Sequence, residues 1–350
     1  MADPKATRAF ALKVWLIRQG ELVSQMIYLG DRLGLFRAMA GRGAMTSPEL
    51  AAATELNERY VREWLASMAG AGLVELHAPD RFELSAEAAV VLTDEDDPLC
   101  AIGAFAGPVG PDYLARVEEA FRTGVGPSYD EMGPSIAHRT DRMLGPWIRH
   151  ALVPTILPAL DGVVGKLEAG CRVADVGCGS GVALAAMAAA FPRSEFHGYD
   201  PSTVALERAR VRLAELPNAA VEPDRAENLA AHGTFDFVVA FDCLHDMTRP
   251  DLAIAAVRGA LAPDGTWLIK DIRSTGDLAA NMKNPVIALQ YATSVEFCMS
   301  SALSEPDGLG LGTCGLHPDL LEAMCRDAGF TRFAVHDFGE PANLYYEVRP

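Results

Sequence analysis

Val173-Ala174-Asp175-Val176-Gly177-Cys178-Gly179-Ser180-Gly181 reads as a short buried strand running into a glycine-rich turn. Glycines at that junction let backbone approach a ligand that any side chain would hold off. Working outward, the pattern alternates strand and helix. Arg172 to Val176 is a strand and Val182 to Phe191 a helix; Ser194 to Tyr199 is a second strand and Ser202 to Leu216 its helix. A third short strand falls near Ala220-Val221 and a fourth at Phe235 to Phe241. Thr248-Arg249-Pro250-Asp251 resembles a capping box opening a helix to Leu261, and Pro263-Asp264-Gly265 turns into a fifth strand, Thr266 to Ile272. A helix from His317 to Ala328 stops at Gly329, and Phe330 to His336 with Leu344 to Val348 reads as a closing antiparallel pair. This alternation predicts an α/β domain over 161–350: a parallel sheet with helices on both faces, carrying an insertion at 273–316.

Upstream the periodicity changes. Leu22 to Met39 has apolar residues at helical spacing. Ser47-Pro48-Glu49 supplies a helix N-cap, a proline at the first helical position and an acid in the first turn. A second helix runs from Asn57 to about Met68, and Gly70 and Gly72 end it. Leu73 to Leu76 and Arg81 to Leu84, around a Pro79-Asp80 turn, form a two-stranded wing. Residues 1–100 are therefore a mainly helical winged-helix domain. Residues 101–160 read as a linker and pocket wall, helical from Ile136 to Leu160 with breaks at Gly145-Pro146 and near Pro154 and Pro158.

Composition narrows the function. The 350 residues carry 47 acids against 30 bases, a net charge of −17 that repels nucleic-acid phosphates. Through Val90 there are ten bases and eleven acids, and on the second helix of the winged motif Glu58 and Glu63 offset Arg59 and Arg62. A groove reader shows a basic stripe there, so a packing and dimerisation module is expected and no nucleic-acid partner. Seven scattered cysteines without a CxxC pair fit a reducing compartment. With no apolar run long enough to span a membrane and no signal-peptide pattern, a cytoplasmic protein without membrane contact is expected.

Asp200 ends the second strand, 19 residues after Gly181. A carboxylate there suits the two hydroxyls of a ribose. The GCGSG loop lacks the GxGxxG spacing of a dinucleotide site, and Asp175 within the strand can meet a cationic amine. On Asp175-Val-Gly-Cys-Gly-Ser-Gly181, Asp200, Phe235-Asp-Phe and Leu261-Ala-Pro-Asp-Gly-Thr266, segment 170–350 resembles a class I S-adenosylmethionine-dependent methyltransferase, with its Rossmann-like sheet. With the winged N-terminus, nearly the whole chain resembles bacterial two-domain relatives of small-molecule O-methyltransferases. The runs Phe241-Asp-Cys-Leu-His-Asp-Met247, Asn284-Pro285 and Gly308-Leu-Gly-Leu-Gly312 resemble an actinobacterial, mycobacterial-type branch.

That resemblance implies S-adenosyl-L-methionine as cofactor and S-adenosyl-L-homocysteine as product. Gly177, Cys178, Gly179 and Gly181 would wrap the methionine end with Asp175 near its amine. Asp200, followed by Pro201, would take the ribose. Ala226 fits the small residue beside adenine; Arg225 stands in the place of the usual acid, so either Asp224 or Glu227 substitutes or that contact is missing; and Phe241, Asp242 and Cys243 would line the cofactor by backbone. His245 matches the general base of related O-methyltransferases, with Asp246 expected to fix its tautomer; a loop-ordering role for His245 is the alternative. Tyr28, Trp147, His150, Tyr291 and Phe297 are candidate acceptor-pocket residues, for which core packing is the competing role. Asp242 and Asp271 end strands as Mg²⁺ ligands do, but no third ligand accompanies them, so no metal is expected. The expected activity is methyl transfer to a small, largely apolar molecule, most simply at oxygen, by a homodimer joined through the N-terminal helices. Two rivals remain: other chemistry at the bound sulfonium, and a winged-helix regulator that senses the cofactor.

Overall fold

The computed structural model describes residues 2–77 and 79–350, excepting the side chains of 134–138. The chain divides into two compact units, Met1–Pro108 with Arg142–His150, and Val109–Asp141 with Ala151–Pro350. The expected linker at 101–160 is thus shared between the two units.

In the first unit, α1 spans Pro4–Arg32, with the Asp3 carboxylate accepting the Lys5 and Ala6 N–H groups at its start. The expected helix from Leu22 to Met39 is in fact two: Gly34 takes φ 71° and separates α1 from α2, Leu35–Met39. Helix α3, Ser47–Thr54, is capped one residue earlier than expected. Thr46 and Glu49 bond reciprocally, so Thr46 is the N-cap and Ser47 the first helical residue. Helix α4, Glu58–Gly70, buries Val61, Trp64, Leu65 and Met68 on one face. The Trp64 indole N–H donates to the Met26 carbonyl at 2.9 Å, and its ring meets Phe36 edge-on. On the outer face Arg59 pairs with Glu63, and Arg62 with Glu58 at 2.7 Å. Strands β1, Glu75–His77, and β2, Arg81–Glu83, form the antiparallel wing, followed by α5, Ala86–Thr93.

Helix α6, Pro111–Thr123, precedes α7, Pro134–Ala151. The expected break at Gly145-Pro146 is absent, because α7 carries Pro146 inside it. Proline cannot donate to the Arg142 carbonyl one turn back. That carbonyl packs against Gly103, where an added Cβ would sit 2.4 Å from it. Arg142 also pairs with Asp31 at 2.6 Å and Glu95 at 2.5 Å, fastening residues 142–150 into the first unit.

The second unit is built on a seven-stranded sheet in the order β5-β4-β3-β6-β7-β9-β8. Its strands are β3 Arg172–Val176, β4 Glu195–Tyr199, β5 Ala219–Glu222, β6 Phe235–Phe241, β7 Leu261–Ile272, β8 Arg332–His336 and β9 Asn343–Arg349. Strands β3 to β7 pair in parallel and β9 runs antiparallel between β7 and β8, as the alternation predicts. Strand β7 begins five residues early, pairing Leu261 with Phe235 before an irregularity at the Pro263-Asp264-Gly265 turn. Helix α8, Val163–Ala169, leads into β3; helices α9, Val182–Ala190, and α10, Thr203–Arg212, follow β3 and β4, and α11, Pro250–Ala260, follows β6. The expected capping box at α11 does not form: the Thr248 hydroxyl accepts from Arg225 instead, and Arg249 pairs with Asp251. From β3 the chain winds outward to β4 and β5, then returns past β3 to β6. A crevice therefore opens at the carboxyl ends of β3 and β6, where α/β sheets bind ligands.

Candidate active site

The β3 side of the crevice is made mostly of backbone. Gly177, Gly179 and Gly181 take φ values of 70°, 51° and 74°. Side chains seldom adopt that region. At Gly177 space is also lacking, since a Cβ would lie 2.7 Å from the Cys243 sulfur. The Gly177 and Cys178 N–H groups donate to the Tyr199 carbonyl, which pins the turn to the end of β4. Asp200 accepts the Gly179 N–H at 2.9 Å and the Ser202 N–H at 2.8 Å, one on each carboxylate oxygen. Each oxygen keeps a lone pair for a further donor. Pro201 follows it in the open. The Cys178 side chain is buried beside Gly198, so Cys178 offers the crevice backbone.

Asp175 is the exception, a buried carboxylate with no hydrogen-bond or ion-pair partner among the described residues. Burial, reinforced by the Asp200 charge, pushes it up to about 8. A group so placed calls for a cation.

Where resemblance puts adenine, the charged side chains of residues 224–227 are engaged within the protein. The Arg225 side chain is spent on the protein, pairing with Glu305 at 2.5 Å and Glu227 at 3.3 Å and donating to Thr248. Asp224 is bound to His232 and Asn228, each at 2.7 Å, and Glu227 is held by Arg225, so neither acid is free. Ala226 is buried.

The β6 side is made of side chains. After Phe241, Asp242 takes φ 53° and is tied to Lys270 at 2.6 Å and to the Asn343 amide. Lys270, fully buried, is shared with Glu340 at 3.1 Å. The Cys243 thiol donates to the Val176 carbonyl at 3.2 Å, joining the two sides of the crevice. Leu244–Asp246 then forms a single 3-10 turn. The insertion supports this turn through its glycine run: the Gly312 N–H donates to the His245 carbonyl at 3.0 Å and the Leu309 N–H to the Thr248 carbonyl at 2.9 Å.

The residue that fixes the His245 tautomer is Asp271, where Asp246 was expected. His245 Nδ1 lies 2.7 Å from Asp271 Oδ1, and both residues are buried. Adjacent residues on a tight turn point apart, whereas β7 brings Asp271 alongside β6. Burial alone would push the His245 imidazole down, but the Asp271 carboxylate, helped by the Cys298 side chain hydrogen-bonded to the same ring, overrides it and holds the imidazole well above its ordinary value. Asp246 instead meets the Tyr129 hydroxyl. Burial raises Asp246 to about 7, although the His245 charge opposes the rise. Tyr129 is itself pushed up by burial and by Asp246.

Next to this pair, residues Ser294–Cys298 form a π-helical turn, a distortion common at functional sites. It places Phe297 against Tyr113, with ring centroids 6.1 Å apart, and under Arg139, whose guanidinium lies 4.0 Å from the Phe297 centroid. Val109, Tyr113, Tyr129 and Met132 pack around Phe297 and Cys298. Of the acceptor-pocket candidates, Phe297 and Tyr291 belong to this unit; Tyr28, Trp147 and His150 belong to the first. In the first unit Tyr28 packs on Gly107 and accepts from Arg32, and His150 is exposed. Sequence reasoning missed Tyr129, Cys298 and the structural use of Asp271. Only Asp271 left a signal, as an acid at the carboxyl end of a strand. Asp242 and Asp271 do not converge as metal ligands, but His245, Asp246 and Cys298 do bring ligand atoms together.

Comparison with known proteins finds similarity in both units. Residues 174–267 match the family described as a methyltransferase domain, and residues 22–94 match the Rv2258c-like winged HTH domain. A trans-aconitate 2-methyltransferase from Methylobacterium radiotolerans is 30% identical over 179 residues, covering 49% of this chain and 63% of that protein. A ubiquinone biosynthesis O-methyltransferase from Neisseria meningitidis serogroup C is 29% identical over 206 residues, covering 57% and 76%. Among solved structures, human N-acetylserotonin methyltransferase in complex with S-adenosylmethionine superposes with a TM-score of 0.70 at 15% identity, over 99% of each chain. The mitomycin 7-O-methyltransferase does so with 0.66 at 19% identity, over 99% of this chain and 100% of that one. At such identities the structural likeness shows the fold. No helix among the described residues is long and apolar enough to cross a membrane.

Proposed function

We propose that the chain is a class I S-adenosylmethionine-dependent methyltransferase with an N-terminal winged-helix domain, and that its acceptor is a small, largely apolar molecule methylated at oxygen. The observation that carries this reading is the His245–Asp271 pair, buried two residues beyond Cys243, which itself bonds to the glycine cradle.

The cradle fits S-adenosylmethionine. The unpartnered Asp175 suits the α-ammonium of the methionine end, Asp200 has lone pairs left for the ribose hydroxyls, and the positive-φ glycines leave room for the chain between them. Bound there, the cofactor supplies an electrophilic methyl group on a sulfonium, a leaving group that needs no protonation. The protein must then align the acceptor oxygen and remove its proton. With Nδ1 engaged by Asp271, His245 presents Nε2 as the base, and Asp271 stabilises the imidazolium once the proton arrives. Phe297, Tyr113 and Met132 offer an apolar wall that orients the acceptor and excludes water.

The exposed Phe10, Trp15 and Ile17 on α1 support a homodimer joined through the N-terminal helices. The paired charges on α4 support a packing role for the winged domain and no nucleic-acid partner. A reducing, cytoplasmic setting is consistent with seven free cysteines.

The test combines calorimetry with S-adenosylmethionine and S-adenosylhomocysteine and a screen of phenols, hydroxylated aromatics and carboxylic acids using methyl-labelled cofactor. Label appearing on oxygen in a His245-dependent manner is expected. Cofactor binding with label only on nitrogen, sulfur or carbon would overturn the oxygen assignment. Transfer undiminished in His245→Ala would remove the base.

A further inference from the structure

Methyl transfer as derived above has no use for Cys298, yet its thiol is held in the acceptor half of the site. One ring nitrogen of His245, one carboxylate oxygen of Asp246 and the Cys298 sulfur lie within 4.8 Å of one another, and all three residues are buried. Nitrogen, oxygen and sulfur ligands at about 2.0–2.3 Å from a tetrahedral Zn²⁺ stand roughly 3.3–3.8 Å apart. Small side-chain rotations close the set to that size. Three converging protein ligands with a fourth position open is the pattern of a zinc site that takes water or substrate.

A second observation comes from the other face of the imidazole. His245 Nδ1 is engaged by Asp271 Oδ1 at 2.7 Å, which leaves Nε2 as the ligating nitrogen. Histidines that bind zinc are typically oriented by a carboxylate in this way. Asp271 Oδ2 is buried without a hydrogen-bond partner, as a carboxylate kept for a charged imidazole or a metal-bound one would be. The carbon framework is also firm: Cys298 ends the π-helical turn, and the His245 carbonyl is held by Gly312.

We propose that His245, Asp246 and Cys298 bind a thiophilic divalent cation, with Zn²⁺ as the best match, in the acceptor half of the site. Binding releases to solvent the thiol proton, together with any proton on His245 Nε2 and on the Asp246 carboxyl, and forms metal bonds to the thiolate, the imidazole and the carboxylate. The Nε2 lone pair that bonds the metal is the one proposed to take the acceptor's proton, so the metal and the transferred proton exclude each other. That consequence rests on His245 being the base; the metal site itself does not.

Titration of the chelator-stripped full chain with Co²⁺, followed by absorbance, tests the site. A saturable thiolate-to-cobalt band at one equivalent per chain is expected, displaced by Zn²⁺ and lost in Cys298→Ser. Cys171→Ser, beside Ser194 and apart from the cluster, keeps it. Asp271→Asn, which retains all three ligands, is expected to weaken binding about 10–100-fold, and it serves if Cys298→Ser does not fold. No saturable band in the native protein, or a band unchanged in Cys298→Ser, overturns the proposal. Calorimetry with S-adenosylmethionine on the same sample reads the cradle separately, so a failed metal titration with intact cofactor binding leaves the methyl-transfer reading in place.

Discussion

The β3 and β6 ends of the crevice stand on neighbouring strands and are built in opposite ways. After β3, the cradle consists of consecutive residues whose backbone does the work, with three glycines at positive φ and one acid four residues into the strand. After β6, the site draws side chains from four separated stretches: Tyr129, the 3-10 turn at His245, Asp271 on β7 and the π-helical turn at Cys298. A backbone cradle can be damaged at a single point only by altering what it holds. A side-chain cluster has a chemical role at each member. Substitutions on the two sides should therefore separate into binding defects and rate defects.

His245→Ala is the most severe of these tests. Loss of the base is expected to lower turnover about 10²–10⁴-fold while cofactor affinity, read by calorimetry, is unchanged. A matching loss of affinity would dissolve the distinction between the two sides. Asp271→Asn sharpens the same point through pH. The Asp271 charge raises the His245 imidazole, and the base works only when deprotonated, so activity rises with pH through that value. Removing the charge should shift this acid limb to lower pH and lower the plateau; an unmoved limb would show that Asp271 does not act through His245.

On the other side, Asp200→Ala should cost about 10–100-fold in cofactor affinity, since hydrogen bonds to a charged group are worth about 1.5–3 kcal/mol. Turnover at saturating cofactor should change little by comparison.

Asp175 gives a smaller effect with a definite sign. Its pKa stands at about 8 against an ordinary 3.8, so the folded protein holds this proton more tightly than the unfolded chain does. The group's contribution to stability is complete below its unfolded value and is lost as pH rises through about 8. Asp175→Asn should accordingly raise the Tm of the ligand-free protein at pH 8 relative to pH 5. Cofactor affinity runs the other way. The ammonium needs the ionised carboxylate, so affinity should climb toward pH 8 by at most about tenfold per pH unit, with proton release, and Asp175→Asn should flatten the slope. A flat native profile would mean that Asp175 meets no cation.

How much of this could be read from sequence follows the same division. The glycine run, Asp175 and Asp200 are contiguous or strand-terminal, so spacing exposes them, and the alternation of elements gave the sheet order its parallel core. His245 was legible because it sits just past β6. Its partner was not, because Asp271 is 26 residues away and becomes a neighbour only through the β6–β7 pairing. Tyr129 and Cys298 lie in an irregular loop and a π-helical turn, where neither a period of two nor one of 3.6 marks a face. Caps failed for a related reason: Thr46 displaced the adjacent Ser47 hydroxyl, and the Thr248 hydroxyl turned to Arg225, outcomes that depend on what each hydroxyl can reach.

The smallest expected effect falls at Arg225, a further side chain on the cradle side beside Asp175 and Asp200. Resemblance put it beside adenine, but its guanidinium is held by Glu305, Glu227 and Thr248 and is about half exposed. Exposed ion pairs of this kind are worth about 0–1 kcal/mol. If Arg225 contributes only these contacts, Arg225→Ala should leave cofactor affinity within about fivefold of native. A larger loss would mean that the guanidinium releases Glu305 to meet the ligand. The adenine end of the cradle would then belong with the side-chain-built half of the site, and the boundary between binding and rate defects would run between Asp200 and Arg225.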